Sequence, residues 1–91
     1  ILLIFNMPTS YVLINSDLGA DESIIKEIKE ILTDEKDTQY KIKGVYGVYD
    51  IVLKLTSGNV DTLRSTITNK IRKIASVQST LTMMVIDGQG T

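Results

Sequence analysis

The sequence predicts an α+β fold: a ferredoxin-like β-α-β-β-α-β sandwich with two helices on one face of a four-stranded antiparallel sheet. Three observations predict it. Apolar residues recur at helical intervals of three and four in two segments, and short runs rich in β-branched residues surround them in the order strand, helix, strand, strand, helix, strand. The two halves also echo each other. "VLINSDLGADESI" and "VLKLTSGNVDTL" each pass from an apolar strand through a polar, Gly-containing turn to an acidic helix start.

The elements follow in order. Tyr11 to Ser16, "YVLINS", is the first strand, and Gly19 in "DLGAD" signals the turn after it. "DESIIKEIKEIL" then sets Ile24, Ile25, Ile28, Ile31 and Leu32 on one helical face. Asp21 is the expected N-cap, and Glu22 suits the positive end of the helix dipole. The polar run Thr33 to Thr38 ends that helix. In "QYKIKGV", Tyr40 and Ile42 alternate with Lys41 and Lys43, as in a half-exposed second strand. A turn over Val45 to Asp50 leads to the third strand, Ile51 to Thr56. "SGN" breaks it, and Asn59 is placed to cap a second helix with Val60, Leu63, Ile67, Ile71 and Ile74 along one face. Lys70, Arg72 and Lys73 lie near that helix's C-terminus, where cations are favoured. Gln78 to Ile86 is the last strand.

The organisation is an N-terminal extension over residues 1–10, one domain over 11–86 and a polar tail, "DGQGT", over 87–91. "ILLIFN" at residues 1–6 has neither the basic flank nor the small-residue cleavage site of a signal peptide. Met7 reads as the natural start, with residues 1–6 as upstream sequence; an extra edge strand is the alternative. No apolar run approaches the ~20 residues of a membrane span.

The sheet face away from the helices matters most for function. Both Tyr11/Leu13 and Val12/Ile14 are apolar, and the last strand sets Leu81, Met83 and Val85 against Thr80, Thr82, Met84 and Ile86. A sheet with one face in water alternates more cleanly. Exposing Val12 or Leu13 together with Val52, Met84 and Ile86 would leave a large apolar patch. A second copy covering this face is the simplest solution, and a patched monomer is the alternative.

Composition narrows the chemistry. The chain of 91 residues has no Cys, no His and no Trp. Cysteine ligands and nucleophiles are thereby excluded, as are the commonest general base and the commonest transition-metal ligand. Ten basic and eleven acidic residues, mixed along the chain for a net charge of −1, do not make the basic face that autonomous nucleic-acid binding needs. Asp21, Glu22, Glu27, Glu30, Asp34, Glu35 and Asp37 fall on the first helix or its trailing loop. They read as solvation and i,i+4 pairing, without metal-ligand spacing. No metal or cofactor is expected, and catalysis has little to work with.

The stretch "KGVYGVYDIVLKL", Lys43 to Leu55, admits two readings. As a tight connection between strands, Gly44 and Gly47 supply turn geometry, Tyr46 and Tyr49 pack at the rim, and Asp50 accepts turn hydrogen bonds. As a recognition loop, glycine opens backbone N–H groups to a ligand, Asp50 offers a carboxylate to an ammonium, and the tyrosines offer amphipathic walls. It is not a phosphate loop, because it lacks a Lys-Ser/Thr ending and leads into a strand.

"VYGVYDIVLKL" and the later "KIASVQSTLTMMVI" together resemble the effector-binding domain of Lrp/AsnC (feast/famine) regulators. The carrying pieces are the G-x-Y-D turn of Gly47, Tyr49 and Asp50, the apolar strand behind it, and "V-x-S-T-x-T" over Val77 to Thr82. Val48 stands where many members carry an acidic or polar residue. The resemblance implies homodimers paired through their sheets, often assembled into rings such as octamers. It also implies an amino-acid effector bound between subunits. Carried over by position, the ligand-binding candidates are Gly47, Tyr49, Asp50, Thr80 and Thr82. The backbone near Gly47 and the two hydroxyls would hold a carboxylate, and Asp50 an ammonium. Thr80 and Thr82 also read as ordinary strand surface facing the partner.

The resemblance further implies a cytoplasmic sensing module of a transcriptional regulator. Ten residues before the first strand cannot hold the family's helix-turn-helix, so a stand-alone domain is expected, with no direct nucleic-acid or membrane contact. It would co-assemble with a full-length Lrp/AsnC-type regulator or serve another partner; a fragment of a longer regulator is the alternative. The rival functions are a purely structural oligomerisation domain and a small enzyme of the dimeric α/β-barrel type.

Overall fold

A computed structural model describes residues 7–86 and 89–90, and the readings made for residues 1–6 lie outside that range. β1 (Thr9–Ser16) is followed by α1 (Asp21–Thr33), β2 (Thr38–Gly44), β3 (Ile51–Ser57), α2 (Val60–Ser65), a π-helical segment (Thr66–Ile71) and β4 (Val77–Met84). The strands form one four-stranded sheet in the order β2-β3-β1-β4, with every neighbouring pair antiparallel. This is the ferredoxin-like arrangement that the element order predicts.

Register decides which side chains meet the helices. Val12 pairs with Leu53 and Ile14 with Ile51, and all four are fully buried. They form one layer of the core. Ile24, Ile28 and Leu32 of α1, Leu63 of α2, Ile67 and Ile71 of the π segment, and Ile74 form the other. The helical spacing seen in the sequence is thus the buried stripe of each helix. In β3 the alternation is complete: Ile51, Leu53, Leu55 and Ser57 are buried, and the residues between them are half-buried.

The opposite face carries Tyr11 and Leu13 of β1, Val52 and Lys54 of β3, and Leu81 and Met83 of β4. Leu81 is 44% exposed and Met83 45%, although both lie within a strand. One open alternative is resolved here and one expectation is corrected. Val12 belongs to the core, and Leu13 is the β1 residue of the open face. Met84 pairs with the buried Ser10 and so lies on the helix side, as do Thr80 opposite Ile14 and Thr82 opposite Val12. The reason is register, because a single-residue offset exchanges the two faces. Ile86 lies beyond the strand.

The helix ends differ from expectation at one point. Ala20, not Asp21, occupies the N-cap of α1 and makes no side-chain cap bond; Asp21 and Glu22 form the acidic first turn. Ser23 Oγ instead donates to the Ala20 carbonyl at 2.9 Å. Asn59 caps α2 as expected, with Oδ1 accepting from the backbone N–H groups of Asp61 at 2.8 Å and Thr62 at 3.2 Å.

The second helix departs more sharply from a simple α-helix. After Ser65 it widens into the π segment, where the Arg72 N–H reaches the Ile67 carbonyl five residues back at 3.1 Å. The segment is tied to the loop after α1 through Glu35. Thr66, almost fully buried, donates through Oγ1 to Glu35 Oε1 at 3.1 Å. Lys70 Nζ donates to Glu35 Oε2 at 2.9 Å. The bond from Lys70, helped by that from Thr66, holds the Glu35 carboxyl below its ordinary value of 4.5 against the opposing effect of burial.

A depressed carboxylate pKa stabilises the folded chain above the unfolded pKa, and the stabilisation is lost as pH falls through the folded value. Glu35→Gln should therefore cost up to about 1 kcal/mol at neutral pH, as expected for a partly exposed pair. The difference from the parent should shrink toward zero as pH falls through the lowered folded value and the parent carboxyl becomes neutral as well. Urea unfolding of both proteins across this range checks it.

Candidate functional site

The G-x-Y-D turn stands at the end of the sheet where β1 leaves it. Val45 N–H donates to the Asp50 carbonyl at 2.8 Å and closes the loop. Gly47 takes φ +134°, a conformation costly for any residue with a Cβ, so the chain turns here only because this position is glycine. Tyr46 is 106% exposed and Val48 84%, so the tip presents apolar side chains to its surroundings. Tyr49 is half-buried.

Asp50 is fixed to β1. Its backbone N–H donates to the Ile14 carbonyl at 3.0 Å. Its carboxylate Oδ2 accepts from Ser16 N–H at 2.9 Å and from Ser16 Oγ at 3.2 Å. The β2–β3 turn is thereby pinned to the end of a central strand. Asp50 borders an open concavity of about 440 Å³ with Ser16, Asp17, Gly19, Asp21 and Gln78 among its lining. Gln78 Nε2 donates to Asp17 Oδ1 at 3.1 Å, which joins the start of β4 to the same corner. The corner is negative: among the described residues three carboxylates line it and no Lys or Arg does. It suits an ammonium or a set of hydrogen-bond donors better than an anion.

The structure brings Gly47, Tyr49 and Asp50 together on one turn. Thr80 and Thr82 lie on β4, beyond β1, at roughly two strand spacings or ~10 Å from the turn strand. They share the helix side of β4 with Arg64 and Arg72, which border concavities there with Thr82 and, for Arg72, also with Thr80. Ser16, Asp17 and Gln78 have no counterpart among the sequence candidates. The polar "NSD" and "VQS" flanks of the strands contained them, but nothing in one dimension shows that they meet.

No family model and no curated protein matches the chain. Solved structures do. FFRP-DM1 is 29% identical over 88% of this chain and all of its own, with a TM-score of 0.72. Escherichia coli AsnC is 22% identical, with a TM-score of 0.70 over 92% of this chain. The transcriptional regulator NMB0573 of Neisseria meningitidis, in complex with L-Met, superposes with a TM-score of 0.68 at 9% identity. The chain spans 54% of AsnC and 60% of NMB0573, and at these identities the likeness is one of fold.

Two substitutions test the corner. Gly47→Ala should destabilise the chain by about 1–2 kcal/mol through backbone strain alone, since nothing lies within 4 Å of a Cβ built there. Asp50→Ala should cost about 1–3 kcal/mol, because it strips the Ser16 N–H and hydroxyl of their acceptor. Chemical denaturation reads both.

With its four-stranded sheet, its G-x-Y-D turn and its "V-x-S-T-x-T" strand, and with these structural neighbours, the chain shares the fold of the regulatory domains of Lrp/AsnC (feast/famine) proteins and resembles them.

Proposed function

We propose that this domain is the small-molecule-sensing and oligomerisation module of a transcriptional regulator, with an amino acid as its effector and control of a DNA-binding partner as its output. The observation that carries the reading is the open sheet face. It bears Tyr11, Leu13, Val52, Leu81 and Met83, and the G-x-Y-D turn stands at its end. A second copy laid across it removes this apolar area from water at about 25 cal/mol per Å².

Charge sets how the copies lie. By register Lys41, Lys43 and Lys54 point to the open face from β2 and β3, while the β1 and β4 side bears Tyr11, Leu13, Leu81 and Met83. Superposing two lysine edges would set like charges together. The sheets therefore cross with their β1–β4 halves in contact and their lysine edges apart. Lys54 Nζ already lies 6.0 Å from the Tyr11 ring, so its charge rests beside the apolar half without a carboxylate.

Asp50, Tyr49 and the backbone at Gly47 are the proposed effector contacts; Thr80 and Thr82, on the helix side of β4, stand outside this proposed contact set. The negative corner supports an ammonium-bearing ligand, and the L-Met complex of a regulator with this fold supports an amino acid. Binding alters the partner only to the extent that the effector prefers one assembly over another. A second reading, a purely structural oligomerisation domain, is favoured by one observation: Asp50 Oδ2 is already occupied by Ser16.

Asp50→Asn separates the two readings, because it keeps an acceptor for Ser16 and removes the charge. For the sensor, one of the twenty amino acids raises the melting temperature of the parent, and Asp50→Asn weakens its binding about tenfold or more by calorimetry. No thermal shift with any amino acid supports the structural reading.

A further inference from the structure

We propose that the groove between the π segment and β4 is a second binding site, separate from the turn, for the carboxylate of a small apolar organic acid. The groove is lined by Arg64, Ile67, Thr68, Arg72, Thr82 and Met84 and holds about 260 Å³, a volume suited to a molecule of few atoms. Its chemistry is one-sided. Two guanidiniums and two hydroxyls face it, together with an isoleucine and a methionine, and among the described residues no carboxylate lines it. A zwitterion would find a partner for its carboxylate and none for its ammonium.

The π segment makes this convergence. In an α-helix of 3.6 residues per turn, residue 72 stands about 80° round the axis from residue 64. The Arg72-to-Ile67 bond closes a turn one residue wider than an α-turn. A span of eight residues across it turns about as far as seven in an α-helix, which is within about 20° of two full turns. Arg64 and Arg72 thus come onto one face, with Thr68 between them. Lys70, on the same segment, is held by Glu35. Among the described residues neither arginine has a side-chain hydrogen bond or an ion pair. Two unpaired guanidiniums on one face repel each other, and a bound carboxylate offsets that repulsion.

Titration of the ¹⁵N-labelled chain with isovalerate tests the site, with isovaleramide, leucine and inorganic phosphate as comparators. Isovalerate should saturably shift the amides of residues 64–72 and 80–84, and isovaleramide should not. Leucine and phosphate should bind there more weakly, the first for its ammonium and the second for want of an apolar group. Arg72→Gln and, independently, Thr82→Val should each weaken isovalerate binding, Arg72→Gln by ~10-fold or more. Both positions are exposed, so both variants should fold. The proposal is overturned if isovalerate shifts none of these amides, if isovaleramide or phosphate binds as well, or if Arg72→Gln binds isovalerate like the parent. The amides of residues 45–50 report the turn separately, so either site can fail while the other stands.

Discussion

Everything in this molecule depends on the pairing of β1 with β3. Setting Val12 on Leu53 and Ile14 on Ile51 builds the layer against which both helices pack. The same register sends Tyr11, Leu13 and Val52 to the other side, where no helix among the described residues covers them. Two helices can shield one face of a four-stranded sheet. The core and the interaction surface are therefore the two faces of a single pairing, and any shift that repairs one ruins the other.

The pinning of the turn follows from the same strand. Asp50 binds Ser16 through its carboxylate and Ile14 through its backbone, so the G-x-Y-D loop is positioned by the end of β1. Gly47 allows the loop to close, and Asp50 holds it where it closes. The two readings of this stretch, turn geometry and recognition, are thus not exclusive. The interactions that fix the loop also fix the backbone and tyrosine that a ligand would meet, and a fixed site loses less conformational freedom on binding.

Much of the fold is legible in the sequence. β3 alternates because one face meets the helices, and α1 shows its buried stripe in Ile24, Ile28 and Leu32. β1 is illegible in one respect. Both faces of "YVLIN" are apolar, so only the partner strands decide that Val12 goes in and Leu13 out. Met84 fails for the same reason. The Asp50–Ser16 clamp joins residues 34 apart in the chain, and no local pattern announces it. The π segment is equally silent, because Leu63, Ile67, Ile71 and Ile74 suit an ordinary α-helix; what marks it is the contact of Thr66 and Lys70 with Glu35 on another element. The arginine groove follows from that widening and is invisible without it.

The account rests on the open face being covered by a second copy, and the molar mass in solution tests this most directly. Light scattering coupled to size exclusion, on the parent chain and on Leu13→Glu, gives the answer in one experiment. The account predicts a dimer or larger assembly for the parent and a folded monomer for the variant, whose added charge falls on the outer side of β1 and leaves the core intact. A parent that remains monomeric across the micromolar range, or a variant that assembles like the parent, would contradict it.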